Sequence, residues 1–497
     1  MIMKKVLKIK ITAVLLILGF VCLSFPENKA YAADGSAYEY EAYIYDYWGN
    51  SQDVPAAFKI ATIIDNDNLT GFTFGTVDDV STSSDGRIFV SDKTSSRVNV
   101  FKTDGTFVIS IKVLKTGEGK IALNPDGSQM TLSAPTGTWY HEKNNELYIA
   151  DSGNKNVYVL DGTTYFLLRT ISAPENMTGV TEYAPSKITV DNADRIYIVV
   201  ASSYEGIVEL EPDGTFSRYF GVNEPTVNLV QYFWKSIATD VQKQKMGKTY
   251  APGFTNVALD SEGFVYAVSK ETNAESKIFR LNSNGENVIR AEGQALIGDL
   301  YTGEGESAFI DVSVTDYGVS AVLDSTRGRI FLYDYDGQIL NIFGGYGYSK
   351  GEFKNPTSLS WLGNDLIVTD SDLKCIYVLT PTEFGKNALK ASEEYYYGRW
   401  ESATAYFKEC IKLNANYEVA YVGVGKNLLM QDEYEEAMYY FKLGNQREYY
   451  SKAYAGHRGE KIRENFYIIA IVFVLLVGLL IMSEVKYHKK QPKGEKA

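Results

Sequence analysis

Leu147-Tyr148-Ile149-Ala150-Asp151-Ser152-Gly153-Asn154 is the stretch from which the fold can be read. Apolar and aromatic residues lead up to an acid, and a small polar turn follows. Val157-Tyr158-Val159-Leu160 then forms a second such run and stops at Asp161-Gly162. Short antiparallel strands joined by tight turns have this pattern. The unit recurs on both sides. Upstream it reads 87–92, 97–101 and Asp104-Gly105; downstream it reads 195–199, 207–210 and Asp213-Gly214. Three further copies pair 264–268 with 277–281, 319–324 with 329–333, and 365–370 with 375–379. Six such units in series predict six four-stranded blades around a channel, a mainly β fold.

The stretch Tyr43-Ile44-Tyr45-Asp46-Tyr47-Trp48-Gly49-Asn50 precedes the first blade and is expected to donate the strand that closes the ring. Closure removes an edge that would otherwise aggregate. The Gly turns join first to second and third to fourth strands, so they share one face. Connections between blades then share the other, and three of them are long: 112–132, 221–252 and 292–307. Long loops gathered on one face suit binding. The middle one carries Tyr232-Phe233-Trp234, an aromatic cluster suited to stacking on a glycan or gripping a partner, or to packing the loop onto the blades.

After Pro381 the apolar period changes from two to about 3.6. Trp400, Ala403 and Phe407 recur 34 residues later as Tyr434, Ala437 and Phe441. A small Ala between two aromatics on one helix face lets paired helices approach closely, and a 34-residue helical period is the tetratricopeptide spacing. Two repeats over 386–464 are expected to pack through these six residues. They would serve either as a spacer or as a binding groove.

The ends read as targeting segments. Four lysines between Lys4 and Lys10 precede an apolar run to Leu23, and Ala30-Tyr31-Ala32 supplies a cleavage site, so 1–32 is expected to be a signal peptide. Residues 466–482 carry no charge, long enough for a short membrane span, and 483–497 form a basic tail. Export of residues 33–384 would leave that tail in the cytoplasm. Between these ends 39 basic residues face 59 acidic ones, a charge of about −20 that repels phosphate backbones. Nucleic acid is therefore not an expected partner. Cys375 and Cys410 have no zinc or disulfide spacing and are expected to be free buried thiols.

The blade units, and Leu147 to Asn154 above all, resemble NHL repeats across about 38–384. The whole layout is similar to anchored NHL-propeller proteins of Gram-positive bacterial surfaces. That resemblance implies a cell-membrane protein with its bulk outside, accessory to carbohydrate transport, whose partner is a membrane or extracellular protein or a glycan. Some propellers of this kind are hydrolases or lyases. Only His141 falls within the blades, however, which argues against a zinc lyase built on several histidines. Asp92, Asp151, Asp324 and Asp370 each end a second strand on the long-loop face. Four carboxylates at one mouth could hold calcium in a lactonase-like hydrolase. Alternatively, each is the repeat's own acid bonding the next turn. No cofactor or catalytic residue is assigned, and a non-enzymatic binding scaffold is the leading expectation.

Overall fold

A computed structural model describes residues 41–177, 182–201, 203, 205–221, 253–271, 276–290, 296–300, 303 and 305–490. Six antiparallel sheets form the blades of a β-propeller. Their inner strands are Val77–Thr82, Pro135–His141, Pro185–Val190, Asn256–Leu259, Phe309–Val314 and Pro356–Leu362. The turns between first and second, and third and fourth, strands repeat one geometry. In the first, Gly86 N donates to Ser83 O and Ser83 N to Arg87 O, with Gly86 at φ 90°. This is a turn closed by a left-handed glycine, where a side chain would be strained. Gly105, Gly214, Gly263, Gly285, Gly318 and Gly337 occupy the same place. Gly162 does not. The left-handed residue there is Tyr165, and a Cβ on Gly162 would lie 2.6 Å from Asn145 Oδ1.

The ring closes differently from the expectation. The closing strand is β3 (Phe58–Ile64), which pairs with Cys375–Pro381 as the outer strand of the sixth blade. Residues 43–50 instead supply most of β1 (Ala42–Tyr45) and the turn to its hairpin partner β2 (Ser51–Asp53), and the two strands extend the fifth blade outward from Ile339–Gly344. The tyrosines of the earlier stretch drew the assignment, but β3 has the longer β-branched run. The 112–132 connection is also not an open loop. It folds back twice, with Leu114 N on Met130 O and Ala122 N on Leu114 O, and it buries Leu114, Ala122 and Leu132.

Helices follow directly: α1 (Glu383–Tyr396), α2 (Trp400–Leu413), α3 (Glu418–Met430), α4 (Tyr434–Leu443), α5 (Arg447–Glu464) and α6 (Phe466–Lys490). Thr382 caps α1 by accepting from Gly385 N, and Gly385 sits so close to Ala57 O that a Cβ would be 1.9 Å away. Ala403, Phe407, Ala437 and Phe441 are buried between helices. Phe407 and Phe441 press from either side on α3, where Gly423 and Gly425 leave room for their rings. Trp400 packs edge-on against Tyr395, and Tyr434 covers Gly456 of α5. One apolar core runs from the fifth and sixth blades into α1, α2 and α3. Within α6, Phe466–Lys486 contains an unburied 18-residue window of mean hydropathy 2.9, long and apolar enough to cross a membrane. The helix continues into the basic segment that was assigned to the tail from residue 483.

Candidate functional site

Each strand-ending aspartate closes the top of its own blade. Asp151 accepts from Ser133 N (2.8 Å), Ala134 N (2.9 Å), Gly153 N (3.1 Å) and Asn154 N (3.0 Å). The first two amides precede the inner strand and the last two belong to the turn that follows, so one carboxylate pins both. Asp370 repeats the arrangement with Lys354, Asn355, Asp372 and Leu373, and Asp92 with Gly75, Thr76 and Ser95. Asp324 holds the amides of Ala308 and Thr326, and burial pushes its carboxyl upward. All four are fully buried; Asp92, Asp151 and Asp370 use both oxygens within their own blades, whereas Asp324 does so through Oδ1 and its Oδ2 is buried without a hydrogen-bond partner. Among the described residues no group of three or more His, Cys, Asp or Glu side chains is arranged to hold a metal ion. The alternative raised from the sequence, calcium held by these four carboxylates, finds no such grouping among the described residues. Tyr232, Phe233 and Trp234 lie outside the described residues.

Sequence reasoning missed the polar cluster that fills the channel. Five inner strands carry a bulge after their first paired residue, and in four of them the next paired residue is a member of this cluster: Asp79, Lys187, Asp311 and Ser358. Lys187 pairs with Asp79, whose other oxygen accepts from Thr138 N at 2.6 Å. Ser358 Oγ lies 3.0 Å from Asp79 Oδ1 and 2.5 Å from Asp311 Oδ2. Asp311 also accepts from Leu359 N at 2.7 Å and from the Asn256 side chain. Asp79, Thr138, Lys187, Asn256, Asp311 and Ser358 thus come one from each blade, and all are buried. At this level the channel is a polar plug. Burial, and then repulsion from Asp79, push the Asp311 carboxyl up to about 7 against the pull of Lys187. A proton on Asp311 Oδ2 can be donated to Ser358 Oγ, which then donates to Asp79. The signal was present: one polar residue breaks the apolar run early in each inner strand, but it emerges only once the blades are aligned.

His141 is buried with Nε2 3.1 Å from Asp194, at the edge of the second blade's inner strand. Cys375 and Cys410 are both free and buried, and burial raises each thiol to about 12.

The helical stack is locked to the Gly-turn face. Asp336, in a third-to-fourth-strand turn, receives Lys426 Nζ and Tyr395 Oη at 2.9 Å each on one oxygen and Arg290 at 2.9 Å on the other. Burial alone would raise its pKa, but Lys426 and Arg290 outweigh it and hold the carboxyl below the usual range. Tyr417, wholly buried, donates to Leu340 O at 2.8 Å. The four aspartate clamps and the connections between blades occupy the opposite face.

Searches against protein-family models and curated proteins gave no match. Among solved structures, this chain is similar to a catalytically inactive virginiamycin B lyase from Staphylococcus aureus with quinupristin (13% identity, TM-score 0.40, covering 65% of this chain and 99% of that one). It is similar also to a streptogramin B lyase (10%, 0.38, 66% and 100%) and to Kuenenia stuttgartiensis hydrazine synthase (10%, 0.38, 62% and 98%). None of these values reaches the level at which a neighbour's chemistry carries over.

Proposed function

We propose that the chain is a membrane-anchored extracellular binding scaffold. Its broad-loop face engages a protein or glycan, and its helices, read as two tetratricopeptide-like repeats, couple the propeller to a membrane component. The observation that carries this reading is the lock of the helices onto the Gly-turn face through Asp336, Lys426 and Tyr395. A stack fixed there, running through α5 into an apolar α6, would hold the broad-loop face away from a bilayer. Asp92, Asp151 and Asp370 on that face support a rigid platform rather than a reaction, because both oxygens of each serve the fold. A place beside a carbohydrate transporter rests on the resemblance to anchored NHL propellers alone.

Site-specific photo-cross-linking in intact cells tests the arrangement. Probes at Thr94 and Asp372, exposed on the broad-loop face, should capture a discrete partner, and a probe at Asp104 on the Gly-turn face should not. Equal capture from Asp104, or none from Thr94 and Asp372, would refute the assignment of faces.

A further inference from the structure

The hairpin between β1 and β2 does more than lengthen a blade. Its tip reaches the far end of the helical stack, where it closes one side of a cleft of about 450 Å³ against α4 and α5. Small-ligand sites typically span about 300–1,000 Å³. The tip is held rigidly. Asp46 accepts from Trp48 N and Asn50 N at 2.8 Å each, and Gly49 turns the chain at φ 79°. Glu418 then ties it to the helices, accepting from Tyr47 N at 3.3 Å and from Asn445 Nδ2 at 2.5 Å.

Three features of the cleft converge on one ligand chemistry. Trp48 is 66% exposed and stands edge-on to Tyr47, so a bulky aromatic face is offered to solvent on a fixed support. Arg447 lies 5.6 Å and 5.5 Å from the Tyr47 and Trp48 ring centroids, with no carboxylate partner among the described residues. Lys442 lines the same cleft and, among the described residues, no Asp or Glu does, in a chain of net charge −13. Asn445 and Tyr450 add an amide and a hydroxyl at the wall.

We infer that this cleft binds an acidic saccharide, a sugar ring bearing a carboxylate. The C–H face of such a ring lies on the indole, its hydroxyls meet the amide and phenol, and its carboxylate takes the guanidinium fork. A plain acidic peptide would use the cations but has no flat apolar face for Trp48. The site is separate from the broad-loop face, and the inference stands whether or not that face binds a partner.

The test is calorimetric titration of the full chain in detergent micelles with tetragalacturonate, maltotetraose and tetraglutamate. Tetragalacturonate should bind saturably and more tightly than the neutral and peptide probes. Trp48→Ala should weaken it about tenfold or more. Arg447→Gln should abolish the preference for the acidic over the neutral sugar while leaving residual stacking. Tyr450→Ala, on the exposed wall, gives a second reading should Trp48→Ala misfold. Absence of saturable binding by the native chain, tetragalacturonate affinity unchanged in Arg447→Gln, or tetraglutamate binding as tightly as the saccharide would each overturn the assignment.

Discussion

Asp151 and Asp311 are both buried carboxylates on propeller strands, and their surroundings give them opposite characters. Asp151 gives both oxygens to four backbone amides and so ties the inner strand to the turn that follows. Asp311 shares a closed channel with a second carboxylate and one lysine, and its carboxyl is pushed up to about 7. An acid raised in the folded state binds its proton there over a range in which the unfolded chain, near the ordinary value of about 3.9, has already lost it. The native state therefore holds more protons between about pH 4 and pH 7, and stability falls as pH rises through that window. Asp311→Asn removes the titration. Urea unfolding of the native chain between pH 5 and pH 8 should show a loss, at most about 3 kcal/mol, that is absent from the variant. The slope is the readout, since Asn also disturbs the bond from Leu359 N. Parallel slopes in the two proteins would contradict the shared proton. The repeating acids were legible in the sequence because they recur at one register. The channel residues were not, because Thr138, Lys187, Asn256, Asp311 and Ser358 differ in type and share only a place.

Elements were legible where a local pattern fixes them. Six units of alternating residues between Asp-Gly or Asn-Gly turns predict strands directly, and the 34-residue recurrence of Ala403 and Ala437 predicts paired helices. The closing strand was misplaced because closure is a long-range pairing, and local β propensity does not say which of two strands finds the last blade. In the helical stack the deciding residues are small. Gly423 and Gly425 on α3 admit the rings of Phe407 and Phe441, and a Cβ on Gly423 would fall 2.5 Å from the Phe407 ring. Phe407 is buried in the core shared by α1, α2 and α3, so its ring has little room to move away. Gly423→Ala should therefore destabilise the stack by about 1–3 kcal/mol, although Ala normally favours a helix interior. Hydrogen exchange should locate the loss in α2 and α3 and leave the first three blades unchanged. A gain in stability would mean that the rings yield, and that the glycines serve chain flexibility rather than close packing.

At the scale of the molecule, the question is whether propeller and helices are one cooperative body. The continuous core from the fifth and sixth blades into α1, α2 and α3 says they are, and the charges at the junction reinforce it. Asp336 accepts Lys426, Tyr395 and Arg290 in a site where its own and the lysine's side chains are nearly inaccessible. Removing one partner of a buried pair costs more than the pair is worth, because the charge left behind has lost both water and its counter-ion. Asp336→Ala should thus cost about 3 kcal/mol or more, since it removes at once the 2.9 Å contacts made by Lys426, Tyr395 and Arg290. Lys426→Met should cost less, because Asp336 keeps Arg290 and Tyr395. The lock is also acid-sensitive. With its folded-state pKa depressed, the Asp336 contribution is complete above the ordinary carboxylate value and disappears as pH falls through the depressed one. Thermal unfolding by two probes, tryptophan emission and far-ultraviolet dichroism, decides the matter. Coincident transitions in the native chain, separating in Asp336→Ala but hardly in Lys426→Met, are expected of one body held by this aspartate. Separate transitions already in the native chain would mean that the helices ride on the propeller as an independent unit, and that a ligand on the far face has no rigid route to the apolar helix.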